Sequence, residues 1–268
     1  MSLLPLVPAP RSPWRRDAPV RGWMLGLSLL LLAACGGATP TAPGAVSRGT
    51  AHVTPTATPV PPVIYVALGA SDAVGVGADN PNTQGYVPLL IARLPVGSQA
   101  LNLGISGNVL HGALTNELPE AIAAHPTLVT VWLVGNDFKN CAPLPQYGAD
   151  LDALLSQLQT QTHAHVFVAN LPDMSLLPFF QNGAVQAGPC LQGASGSQIR
   201  AAVEQWNTVI DAAIARHGAV LVDLFHSDLA SHPDFVFRDG FHPSTAGYAE
   251  LAGLFWTQIQ AHGGIPAR

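Results

Sequence analysis

The sequence predicts an α/β domain built on a parallel sheet of five strands covered by helices on both faces. Two observations carry this. From residue 63 onward, five short apolar runs alternate with longer segments of helical period, the order that produces parallel strands joined by crossover helices. The first run, Val63-Ile64-Tyr65-Val66-Ala67-Leu68, is also apolar at consecutive positions rather than every second one, as expected of a strand buried on both faces.

Taken in order, the strand Val63–Leu68 ends abruptly at Gly69-Ala70-Ser71 and is followed by a helical segment over Tyr86–Leu94. Ser71 alone reads first as a turn residue, because serine and glycine are ordinary turn formers, and only second as a presented hydroxyl. The second strand is expected at Ala100–Leu103 and its helix at Leu110–Ala124; the third strand at Leu128–Val134 and its helix at Tyr147–Thr162. The fourth strand, His165–Ala169, precedes the helix Ser197–His217, in which Ile199, Ala202, Val203, Trp206, Val209, Ile210, Ala213 and Ile214 recur at three and four, the spacing of one buried helical face. The fifth strand, Ala219–Asp223, and a helix over Ser244–His262 complete the pattern. In such a sheet ligands bind beyond the carboxyl ends of the strands, so the residues that follow each strand are the candidates for a site.

The region before residue 63 has a different character. Arg11, Arg15, Arg16 and Arg21 precede the apolar run Trp23–Ala34, a basic segment and a hydrophobic segment too short to span a bilayer comfortably, as in an export signal. Its end, Leu32-Ala33-Ala34-Cys35-Gly36, resembles the lipobox of bacterial lipoproteins, which implies lipidation of Cys35 and a membrane-anchored mature protein. Residues 1–34 are thus the expected signal peptide, 35–62 a Pro/Thr-rich tether that cannot bury enough surface to fold, and 63–268 the folded domain. Loss of residues 1–34 leaves 7 basic and 15 acidic residues, a net charge of -8. Nucleic acid is a poor partner for such a chain, since affinity for it comes chiefly from neutralised phosphates.

After the second strand stands Asn102-Leu103-Gly104-Ile105-Ser106-Gly107, after the third Val134-Gly135-Asn136-Asp137, and before the last helix Asp239-Gly240-Phe241-His242-Pro243. A serine needs a base to take its proton, and the base needs an acid to orient it. With these blocks the chain resembles the SGNH, or GDSL-like, hydrolase family: Ser71, Gly104, Asn136 and His242 stand in the family order, with Asp239 three residues before the histidine. The resemblance implies a flavodoxin-like three-layer α/β/α fold and ester hydrolysis by a Ser71–His242–Asp239 triad. It further implies an oxyanion hole formed by the Ser71 and Gly104 N–H groups and the Asn136 side chain, without metal or cofactor. Lipases, thioesterases, lysophospholipases and carbohydrate deacetylases share the family, and a non-catalytic tethered module that kept the fold is the alternative.

Two positions depart from the family pattern. Ala70 stands where the usual Gly-Asp-Ser block has its aspartate, with Asp72 as a partial substitute, and Val134 replaces the usual first glycine of the third block. Asp223-Leu224-Phe225-His226 repeats the Asp-x-x-His spacing; Asp239 and His242 are preferred because Pro243, Ser244 and the helix after them match the family block. Cys141 and Cys190 lie in loops after the third and fourth strands, which suits a disulfide in an exported protein and not a zinc site. Residues 137–150 and 172–196 are the expected specificity loops, and the apolar stretch LPDMSLLPFFQNG from Leu171 suggests room for an acyl chain.

Overall fold

The computed structural model describes residues 60–181, 183–184, 186–262 and 265. The expected signal segment, Cys35 and the tether up to residue 59 lie outside the described residues. In chain order the elements are β1 (Ile64–Gly69), α1 (Ser71–Val74), α2 (Pro81–Gln84), α3 (Tyr86–Ile91), β2 (Gln99–Asn102), α4 (Leu110–Asn116), α5 (Leu118–Ala123), β3 (Leu128–Trp132), α6 (Gly135–Lys139), α7 (Leu144–Gln161), β4 (His165–Ala169), α8 (Gly196–His217), β5 (Val220–Val222) and α9 (Thr245–His262). The five strands form one sheet in the order β2-β1-β3-β4-β5, and each pairing is parallel.

The sheet is central and the helices lie in two layers. On one face α3 packs against α9; on the other α4 packs against α7 and α7 against α8. β1, β3 and β4 occupy the middle of the sheet, and their residues are buried at almost every position, which is why their sequences run apolar without alternation. β2 and β5 are the edge strands, and three of the four residues of β2 are exposed. Tyr65, Phe167, Tyr86, Tyr248 and Phe255 fill the core, with Tyr86 stacked on Phe255 at 5.4 Å between ring centroids.

The expected single helix over Leu110–Ala124 is two helices, broken at Glu117, whose φ and ψ are -118° and -47°. Pro119 sits in the first turn of α5, where its missing N–H costs nothing, whereas inside one continuous helix it would remove a hydrogen bond and clash with the preceding turn. α8 begins on a capping box, in which the Ser195 and Gln198 side chains each accept from the other's backbone N–H, so its start is set locally. Two short helices that the apolar pattern does not reveal, α1 and α6, follow β1 and β3 directly and carry Ser71 and Asn136.

Candidate active site

β1 delivers Ser71 as the first residue of α1, at the carboxyl end of the sheet. The turn is tight: a Cβ built on Gly104 would lie 2.6 Å from Ala73 Cβ and 3.0 Å from the Ala70 carbonyl, so only glycine lets the loop after β2 approach α1 this closely. On the far side, Gly77 has φ +103°, and a Cβ there would stand 2.4 Å from the Pro243 carbonyl oxygen. Both the left-handed backbone and the close approach require glycine, and they bring the segment after Ser71 against the one that bears His242. Tyr248 Oη donates to the Val76 carbonyl at 2.6 Å and Asp79 N–H to Thr245 Oγ1 at 2.9 Å, so α9 also holds this contact.

Ser71, His242 and Asp239 come together. His242 Nε2 is 2.8 Å from Ser71 Oγ, and His242 Nδ1 is 2.6 Å from Asp239 Oδ2. Asp239 Oδ1 accepts from the backbone N–H groups of Phe241 and His242 at 2.9 and 3.0 Å. Partial burial works to raise the Asp239 carboxyl, but the hydrogen bonds from His242 and from the two backbone N–H groups outweigh it and hold the group below the usual carboxylate range. The acid therefore stays ionised beside the imidazole, as a group that orients a base must.

Asn136 lies on α6 and lines the same open cleft of about 380 Å³ as Ser71, Asp239 and His242. Its Nδ2 donates to the Asn108 carbonyl at 2.9 Å, which fixes the amide orientation and leaves a second proton for another acceptor. The Gly104 N–H donates to Asn102 Oδ1 at 3.1 Å, so an anion in the cleft would have to share that donor. Asp137, next to Asn136, accepts from the Leu110 N–H with both oxygens, at 3.3 and 3.0 Å; burial pushes its carboxyl up to about 6.

Both departures from the family pattern have structural accounts. Val134 has φ -148° and is buried, a backbone that needs no glycine, while Gly135 meets only Phe241 at ordinary contact distance. Asp72 lines a cavity with Trp132, Met174, Leu229 and His242, and burial raises its carboxyl to about 6 against the lowering effect of His242. The group that reaches the strand end is Glu117, whose Oε2 accepts from the Gly69 N–H at 2.8 Å. Sequence spacing gives no signal for it.

The repeated motif forms a second dyad of the same geometry. His226 Nδ1 is 2.6 Å from Asp223 Oδ2, and the Phe225 and His226 N–H groups point to Asp223 Oδ1. What separates the two is their surroundings: the His226 side chain is 76% exposed and that of His242 17%, and only His242 meets Ser71.

Cys141 and Cys190 are joined by a disulfide with Cα atoms 6.0 Å apart. The bond ties the loop after β4 to the end of α6, where the Gly188 N–H also donates to the Lys139 carbonyl at 2.8 Å. Of the apolar stretch from Leu171, Leu171, Met174, Leu177 and Phe180 are buried; Leu171, Pro172, Met174 and Leu177 line the cavity beside His242, and among the described residues of the stretch Phe179 lines the cleft.

The profile of the GDSL-like Lipase/Acylhydrolase family matches residues 67–250. No curated protein is significantly similar in sequence. Among solved structures, phospholipase A1 from Streptomyces albidoflavus is 20% identical with a TM-score of 0.56, covering 74% of this chain and 100% of its own. A psychrotrophic esterase from Pseudoalteromonas sp. is 20% identical with a TM-score of 0.55, covering 74% of this chain and 97% of its own. An acetylxylan esterase from Geobacillus stearothermophilus is 19% identical with a TM-score of 0.56, covering 73% and 94%. These likenesses establish the shared fold. With the family profile matched over most of its folded part, the chain belongs to the GDSL-like lipase/acylhydrolase family and is a serine hydrolase of ester bonds.

Proposed function

We propose that the protein hydrolyses carboxylic esters of short acyl groups, with Ser71 as nucleophile, His242 as general base and then general acid, and Asp239 as the group that orients the imidazole. The 2.8 Å contact between Ser71 Oγ and His242 Nε2 carries the reading. In this mechanism His242 takes the Ser71 proton as Oγ attacks the ester carbonyl. The Asn136 amide, with the Ser71 and Gly104 N–H groups, receives the developing oxyanion. Collapse of the tetrahedral intermediate expels the alcohol, protonated by His242, and leaves an acyl-serine. Water, deprotonated by His242, then releases the acid and restores Ser71.

The preference for short acyl groups rests on the lining of the cleft. Its apolar side chains are Val76, Phe179 and Phe241, while Ser106, Asn136, Lys139 and Gln186 are polar. The apolar cavity behind His242 has a volume of only about 30 Å³, room for little more than a water or two. Such a surface suits a small acyl group carried on a polar alcohol. The solved acetylxylan esterase of the same fold gives this a precedent. A series of p-nitrophenyl esters from acetate to dodecanoate should give its highest kcat/KM at the short end, with Ser71→Ala inactive throughout. A maximum at the long end would defeat the acyl-length assignment, and full activity in Ser71→Ala would defeat the nucleophile.

The basic segment, the short apolar run and Leu32-Ala33-Ala34-Cys35 further support a lipid-anchored enzyme on the outer side of a bacterial membrane, carried on the 35–62 tether.

A further inference from the structure

We propose that Glu117 is a positioning residue for ester hydrolysis: its carboxylate ties the end of the strand that presents Ser71 to the amide that completes the oxyanion hole. The inference rests on the function proposed above. Glu117 stands at the break between α4 and α5 and is fully buried. Its Oε2 accepts from the Gly69 N–H at 2.8 Å, and its Oε1 accepts from Asn108 Nδ2 at 2.5 Å. The Asn108 carbonyl in turn accepts from Asn136 Nδ2 at 2.9 Å. A continuous path of three hydrogen bonds thus joins Gly69, two residues before the nucleophile, to the side chain that faces the developing charge.

Both carboxylate oxygens act as acceptors, so the ionised form serves the path best; protonation turns one oxygen into a weaker acceptor bearing an O–H and loosens one of the two bonds. Burial pushes Glu117 up to about 7, although the bonds from Gly69 and Asn108 oppose the rise. β1 presents the Gly69 N–H, the loop before α4 presents Asn108, and Tyr86 on α3 is the titratable group whose own ionisation responds to Glu117. Asp72 likewise acts on Tyr86 but faces the cavity beside His242.

The two consequences for pH have opposite signs. The folded value lies above the ordinary 4.5, so between about 4.5 and 7 the folded chain binds more protons than the unfolded one, and Glu117 makes stability fall as pH rises through that window. Turnover rises in the same window, because the ionised form sets the oxyanion hole. A side chain that only supported the fold would move stability and leave the shape of the kcat profile alone.

The test compares wild type, Glu117→Gln, Asn108→Ala and the double variant on p-nitrophenyl acetate, with Tm measured across the same pH range. Glutamine keeps the shape but turns an NH₂ toward one of the two donors. We expect kcat at about pH 8 to fall about tenfold in Glu117→Gln, with KM changed less than about twofold. The kcat limb with a midpoint near 7 should vanish, and Tm should gain on wild type as pH rises from about 4.5 to 7. Asn108→Ala should lose kcat similarly, and the double variant no more than the worse single one, because both changes cut the same path. Wild-type kcat and an unchanged limb in Glu117→Gln, or losses that multiply in the double variant, would overturn the proposal. If Glu117→Gln does not fold, Asn108→Ala decides alone, and wild-type kcat there rejects the path. Absence of Ser71-dependent hydrolysis in the wild type would instead strike the function reading itself.

Discussion

The Asn136 amide gives one proton to the Asn108 carbonyl and faces the cleft with the rest of its donor capacity. It is a neutral donor held in place before any substrate arrives, so its loss should be felt as charge develops and not when the ester binds. We expect Asn136→Ala to lower kcat by about 10²–10³ with little change in KM; a rise in KM with kcat intact would reject that role. At this scale the sequence was legible wherever residue type and order sufficed: Ser71, Asn136, Asp239 and His242 all border one cleft. It was not legible where geometry is tertiary. The Asp223–His226 and Asp239–His242 pairs are locally alike; the sequence separated them only by the Pro243-Ser244 block that follows His242, and the arrival of Ser71 and the burial of His242 are tertiary. The carboxylate that reaches the Ser71 turn comes from Glu117, 48 positions from its partner Gly69, a distance at which no spacing rule operates.

Among the helices, the long ones were readable and those of four or five residues were not. α8, with its capping box and a buried face of three-and-four spacing, begins within one residue of its expected position. α1 and α6 are four and five residues long, too short for a helical period to show. The break at Glu117 follows from Pro119, a stronger signal than the apolar spacing that runs across it. The Cys141–Cys190 bond joins the turn just after α6, whose Asn136 and Lys139 line the cleft, to the loop that carries Gln186. Closing a loop with a sequence separation of 49 restricts the unfolded chain by on the order of 4 kcal/mol in the entropy model. Reduction should therefore change KM or acyl preference at temperatures where the domain is still folded. Two titratable thiols in denatured, unreduced protein would show that the bond is missing.

For the whole molecule, the lipid anchor proposed at Cys35 is tested separately from the chemistry. Cleavage before Cys35 would leave a domain with a net charge of -8 on a Pro/Thr-rich tether. One acyl chain anchors a protein only weakly, so a stable lipoprotein carries several. Mass spectrometry of the mature protein should find Cys35 as an acylated N-terminus, and a soluble product that begins elsewhere would exclude the anchor. The domain has its own long-range logic. Ser71 follows the first strand, and the histidine that meets it lies 171 positions further on, just before the final helix, which also grips the segment after Ser71 through Tyr248 and Thr245. A ribosome-bound or truncated chain lacking that last stretch has a serine with no base. Labelling by a fluorophosphonate would then mark only finished, folded molecules, because the serine and its base lie near opposite ends of the domain and meet only when it closes.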